Sequence, residues 1–149
     1  MILIIDESSR NASEHLLRCS LAFWGDALPL AERLWKQNTK LPLGAYWEAM
    51  DALLAEVAAI VPADLLVVVL ADRAYYIPPF LDRLTALGWH YVVRLKANSS
   101  VCFRDPRTGA TGSVAELLGA ALWGPGTRWK GELDLFKGAG WRRVTVEAV

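Results

Sequence analysis

The chain has 149 residues, 54% of them hydrophobic and 21% charged, which is one domain's length and apolar enough to fill a core, and this argues against disorder. Its 16 basic and 16 acidic residues cancel, and net charge therefore singles out neither a nucleic acid nor a membrane surface as partner. The balance hides a polarity: residues 1–72 carry five Lys/Arg against ten Asp/Glu, and residues 73–149 carry eleven against six. A field segregated in this way could set metal ions at one pole and a polyanion at the other, although chance clustering on solvated faces gives the same counts.

Cys19 and Cys102 make no metal-ligand or disulfide spacing, and Cys19, inside an apolar run, reads as a small core residue. No apolar stretch approaches the roughly 20 residues of a membrane span. The N-terminus lacks the basic region of a signal peptide, so a cytoplasmic protein is expected. Met1 is followed at once by a strand-like run and the chain reaches Val149 on another. A segment is therefore expected to precede this one in the complete protein.

In chain order, Ile2–Asp6 is a short apolar run that stops on an acid. Glu7–Glu14 reads as a polar loop. His15–Trp24 reads as a strand, Gly25-Asp26 as a tight turn, and Ala27–Trp35 as a third strand, making an antiparallel meander. From Tyr46 to Val61 the residues Trp47, Met50, Leu53, Leu54, Val57 and Val61 recur at helical spacing and Pro62 stops the helix. Leu65–Asp72 follows, an unbroken apolar run of the kind that forms strands buried on both faces, again closing on an acid. Pro78-Pro79 opens a second helix that Gly88 ends, and Trp89–Leu95 is a further strand. Beyond Asn98, Phe103–Gly112 is turn-rich, Ser113 and Glu116 have capping-box spacing at the head of a short helix, and 129–137 and 141–147 suggest two strands around Gly138-Ala139-Gly140.

Two strands thus end on aspartate, Asp6 on the first and Asp72 on the fourth. Three antiparallel strands followed by helix, strand, helix, strand describe an α/β ribonuclease H-like mixed sheet, in which the first and fourth strands are neighbours. Paired carboxylates there have a use: hard divalent cations want oxygen ligands, and a shared carboxylate can bridge two ions about 3.5–4 Å apart on a phosphodiester. The plainer reading of either acid is a turn cap at a strand end. By period two, Glu7 points away from Asp6. Arg73 could pair with a carboxylate or brace its loop. Arg94, Lys96 and Asn98 alternate along one strand face, where they would contact phosphates or line a solvated edge. His90 reads as a partly buried histidine, and the tryptophans as core, with Trp24 and Trp35 open to base stacking.

Leu70-Ala-Asp72-Arg73-Ala-Tyr-Tyr, with Pro79-Phe-Leu81, Leu87-Gly-Trp89 and Tyr91-Val-Val-Arg94-Leu-Lys96, resembles the second-aspartate region of IS4-like DDE transposases of insertion sequences. Leu3-Ile-Ile-Asp6-Glu-Ser8 resembles their first-aspartate strand, and Ser20–Gly25 and Ala27–Trp35 their next two strands. The resemblance implies a ribonuclease H-like catalytic core over residues 1–98 and the start of a β-rich insertion over 99–149. It implies Asp6 and Asp72 as catalytic metal ligands for two Mg²⁺ (or Mn²⁺) ions, and DNA, as transposon ends and target, as partner, with self-association left open. It also implies cleavage at transposon ends, with the liberated 3′-hydroxyl attacking in strand transfer, in a prokaryotic cytoplasm.

The family's pattern is not met throughout. Ser8 stands where threonine is common and Ala74 where glycine is common. The third acid, a glutamate within a tyrosine-arginine-glutamate-lysine signature, has no counterpart here, and neither has the helical DNA-binding region before the first aspartate. Of the later acids, Glu116 is explained by its capping register, and Glu132, Asp134 and Glu147 fall on insertion strands. The chain by itself is therefore expected to be inactive or nearly so. The alternatives are an inactive transposase remnant, and an unrelated phosphatase-like or binding α/β domain with acids at strand ends. Against the last, no Gly-rich phosphate loop follows either strand and no Asp-x-Asp pair follows Asp6.

Overall fold

The computed structural model describes residues 1–36, 39, 41–95, 101–120 and 129–148. They form two compact units, Met1–Arg94 and Leu95–Val149. The first contains β1 (Ile2–Ser9), β2 (Glu14–Phe23), β3 (Asp26–Lys36), α1 (Ala45–Ile60), β4 (Val68–Ala71), α2 (Pro78–Ala86) and β5 (His90–Val93). The strands make one sheet in the order β3-β2-β1-β4-β5. β1, β2 and β3 are antiparallel, whereas β4 lies parallel to β1 and β5 parallel to β4. This is the ribonuclease H arrangement expected from the order of the apolar runs.

Both helices lie on one face of this sheet, side by side. Arg83 of α2 reaches across to both carboxylate oxygens of Asp51 on α1, at 2.5 and 3.0 Å, and stacks over Trp47 at 4.4 Å. Their apolar stripes (Met50, Leu53, Leu54 and Val57; Phe80, Leu81 and Leu84) close over Leu3, Ile5, Leu17, Cys19, Val67 and Val69, all of them buried. Each such side chain contributes about 1.5–3 kcal/mol through burial. Cys19 sits within this core with its thiol pushed up to about 12 by burial, which suits a packing residue and not a nucleophile.

Two expectations are corrected. Leu65–Asp72 is not a strand buried on both faces. Pairing starts only at Val68, opposite Ile2 where β1 begins, and Leu65 and Leu66 before it are exposed. α1 and α2 both cover the same side of the sheet, and Val69, on that side, is buried while Val68 and Leu70 are half-buried. Nor does β1 stop at Asp6, since Glu7, Ser8 and Ser9 continue the ladder against Leu17, Leu16 and His15. Ten residues of β2 offer backbone partners, and satisfied main-chain hydrogen bonds outweigh the polar character of those positions.

The β2–β3 turn is Trp24-Gly25, one residue earlier than expected, with Phe23 paired to Asp26. Both turn residues have positive φ, 52° and 89°, as tight two-residue hairpins require. Gly25 meets this freely, but Trp24 is a bulky residue in left-handed backbone, and its side chain is 90% exposed. Replacing Trp24 by asparagine should therefore raise stability by about 0.5–1 kcal/mol, since only an edge-on contact with Phe23 is lost and the turn conformation is better tolerated. A thermal midpoint that falls would refute this account of the turn.

The second unit holds β6 (Cys102–Arg104), β7 (Thr111–Ser113), α3 (Val114–Ala120), β8 (Trp129–Leu135) and β9 (Arg142–Ala148), in an antiparallel sheet ordered β7-β6-β8-β9. β8, β9 and α3 fall where expected. The hairpin β6–β7 was not foreseen, because three-residue strands are too short to show alternation. Its loop is closed by Asp105, whose carboxylate accepts from the N–H groups of Arg107 and Thr108. The capping box at the head of α3 is complete: Ser113 N–H donates to Glu116 at 2.8 Å, and Glu116 N–H donates to the Ser113 hydroxyl at 3.1 Å. Among the described residues no helix is long and apolar enough to cross a membrane.

Candidate metal centre

β1 and β4 run in register, with Ile5 beside Ala71. The residue that follows on each is an aspartate, so Asp6 and Asp72 leave neighbouring strands at the same level, and both are exposed. Strands lie about 4.8 Å apart, and two carboxylates so placed repel unless a cation lies between them. By alternation from the buried Ile5 and from the helix-facing Val69, both acids belong to the sheet face that α1 and α2 leave open.

The same level continues across the whole sheet. Arg18 of β2 stands opposite Asp6, and Glu32 of β3 opposite Arg18. On the other flank Val93 pairs with Ala71, and the next residue, Arg94, donates its N–H to the Ala71 carbonyl at 3.4 Å. A row of charged residues, Glu32-Arg18-Asp6-Asp72-Arg94, thus crosses all five strands. Arg18 and Glu32 were not singled out from the sequence. The signal that finds them is register, which an isolated strand pattern does not carry.

Asp72 directly follows β4 and begins a single 3₁₀ turn, Arg73–Tyr75, and one carboxylate oxygen accepts from Ala74 N–H at 2.7 Å. It is therefore a turn cap with a second oxygen to offer. Asp6 takes part in no hydrogen bond or ion pair shown by the described residues. Arg73 is exposed in the turn and Arg94 is exposed beside Asp72. Lys96 and Asn98 lie outside the described residues. His90, expected to be partly buried, is exposed at the start of β5, because it falls on the uncovered face.

Glu7 faces the helices, as alternation requires. It accepts from the Tyr46 hydroxyl at 3.0 Å, and its other oxygen lies 2.5 Å from His15 Nε2. His15 stacks on Trp35 at 4.9 Å, and Tyr46 meets the same indole edge-on. Tyr75, beside this group, buries its hydroxyl next to that of Tyr46. Burial first, then the neighbouring Tyr46 and the negative charge of Glu7, drives its pKa up and keeps it protonated.

The donor set suits a hard divalent cation: two exposed carboxylates at one level, one of them without a hydrogen bond or ion pair among the described residues, on the sheet face away from α1 and α2. Among the described residues no group of three or more His, Cys, Asp or Glu converges, so the pair offers two carboxylates and not a closed cage. Three of the later acids are engaged locally, and the fourth faces a lysine in register. Glu116 is held in its capping box, Asp134 lies between Arg104 and Arg143, Glu132 is 3.7 Å from Arg143 and Glu147 is opposite Lys130.

Residues 47–113 match the family model described as "Transposase DDE domain", which bears out the resemblance to DDE transposases; the match does not reach the IS4-like grouping. No curated protein gives a match. Among solved structures, the catalytic domain of Mos1 mariner transposase is similar at 16% identity and a TM-score of 0.47, over 66% of this chain and 52% of that one. A Ppx/GppA family member from Aquifex aeolicus is similar at 14% identity and a TM-score of 0.32, over 97% and 50%. YeaZ from Pseudomonas aeruginosa is similar at 12% identity and a TM-score of 0.29, over 99% and 65%. The chain therefore spans about half the length of the first two structures.

Proposed function

We propose that the chain is catalytic-domain sequence of a DDE transposase of the IS4-like insertion-sequence group, with Asp6 and Asp72 as ligands of the catalytic metal ions. The observation that carries this is the parallel register of β1 and β4, which brings the two acids to one level on an open face. Residues 1–98 are read as the ribonuclease H-like core and 99–149 as the opening of a β-rich insertion. A bound Mg²⁺ or Mn²⁺ pair would supply water activation and stabilisation of the leaving oxygen in phosphodiester hydrolysis and strand transfer. The protein's own part is positional: Asp72 is fixed by its turn, Asp6 by its strand, and Arg73 and Arg94 flank them where a DNA backbone would pass; Lys96 and Asn98, outside the described residues, are assigned to DNA contact on the sequence alone.

Calorimetric titration with Mg²⁺ and Mn²⁺ tests the reading. The wild-type chain should bind, and Asp6→Asn and Asp72→Asn should each weaken binding at least tenfold without loss of fold by circular dichroism. Binding that is indifferent to both substitutions would sink the assignment. Since the site supplies two acids and not three, residues 1–149 alone should cleave DNA little or not at all; robust metal-dependent nicking would point to a third acid within this chain.

A further inference from the structure

Arg18 has two carboxylates directly opposite it, Asp6 on one neighbouring strand and Glu32 on the other. Side chains directly opposite on paired strands are within easy reach of each other, so a guanidinium in this position can close on either. It closes on Glu32: Nε and Nη2 both lie 2.7 Å from the same Glu32 oxygen. The partners are 40% and 35% exposed, and Asp6, equally close in register, has no ion pair among the described residues. An arginine on Asp6 would neutralise the carboxylate and occupy the oxygens a cation needs.

We propose that Glu32 is a positioning residue that holds the Arg18 guanidinium away from Asp6 and so keeps Asp6 open for a divalent cation. The inference rests on the reading of Asp6 as a metal ligand. Its consequence is unusual: an acid two strands away from Asp6, on the far side of a cation, controls the metal affinity of the site. Loss of the Glu32 charge releases Arg18, and the carboxylate that remains opposite it in register is Asp6.

The test is Mg²⁺ titration of the 1–149 chain carrying Glu32→Gln, Arg18→Gln or both, with folding checked by circular dichroism. Glu32→Gln should weaken Mg²⁺ binding by about tenfold or more, and the double variant should recover to within about threefold of wild type. Arg18→Gln alone should bind at least as tightly as wild type. A merely structural salt bridge predicts that all three variants lose affinity together or not at all, and either result overturns the proposal, as does a double variant that stays as weak as Glu32→Gln. If the wild-type chain binds Mg²⁺ independently of Asp6, the metal-centre reading itself falls and takes this inference with it. If binding depends on Asp6 and Glu32→Gln changes nothing, only the inference falls.

Discussion

Phe80→Ala is expected to lower the stability of the first unit by about 3–5 kcal/mol, the usual cost of deleting a fully buried aromatic ring. Phe80 has no exposed surface and packs against the Tyr75 ring with centroids 4.9 Å apart. Tyr75 is the last residue of the turn that Asp72 caps. The cavity would therefore remove the support beneath the Asp72 turn as well as core contacts. Two readouts should move together, a lower urea midpoint followed by tryptophan fluorescence and weaker Mg²⁺ binding. A variant that loses less than about 1 kcal/mol would show that α2 does not anchor the turn. One that loses stability but binds Mg²⁺ as wild type would show that Asp72 is held by its own cap alone.

Acid should unfold the second unit through its carboxylates. Asp134 is only 5% exposed and lies between Arg104, at 2.7 Å, and Arg143, at 2.6 Å, so hydrogen bonds and charge from both arginines hold its pKa below 3.8. Glu116 and Asp105 are held low as well, mainly by backbone N–H groups, from Ser113 in the one case and from Arg107 first in the other. A carboxyl whose folded pKa lies below its unfolded value contributes stability that is present above the unfolded value. That contribution is lost as pH falls through the folded value. The second unit should hold steady from neutrality to about pH 4 and weaken progressively below. Asp134→Ala should abolish most of this dependence while destabilising the unit at neutral pH, because two guanidinium groups lose their shared partner across β6, β8 and β9. Acid titrations of wild type and variant followed by far-ultraviolet circular dichroism give the answer; superimposable curves would refute it.

Much of the fold was legible because its signals are local. The apolar spacing of α1, the Pro78-Pro79 start and Gly88 stop of α2, and the Ser113/Glu116 capping box each depend on residues within one or two turns of one another. The boundaries that failed depend on partners distant in sequence. β1 extends through Glu7, Ser8 and Ser9 because β2 is long enough to pair with them, and the Leu65–Asp72 run is a strand only where β1 lies alongside. β6 and β7 escaped notice because each is short enough that only its partner strand makes it one.

By itself, the sequence determined that two aspartates follow apolar strands in an order that makes those strands neighbours, since chain order and strand propensity constrain the topology strongly. It also determined that Glu7 faces away from Asp6, because side chains alternate with period two. Only the tertiary structure decided that Asp6 and Asp72 stand at the same level and that helices cover a single face. It alone set Arg18 between Asp6 and Glu32, with its ion pair formed to Glu32. Register is the reason: a shift of one residue along any strand would leave local propensities intact while breaking the charged row, and register is chosen by the packing of the whole sheet against α1 and α2.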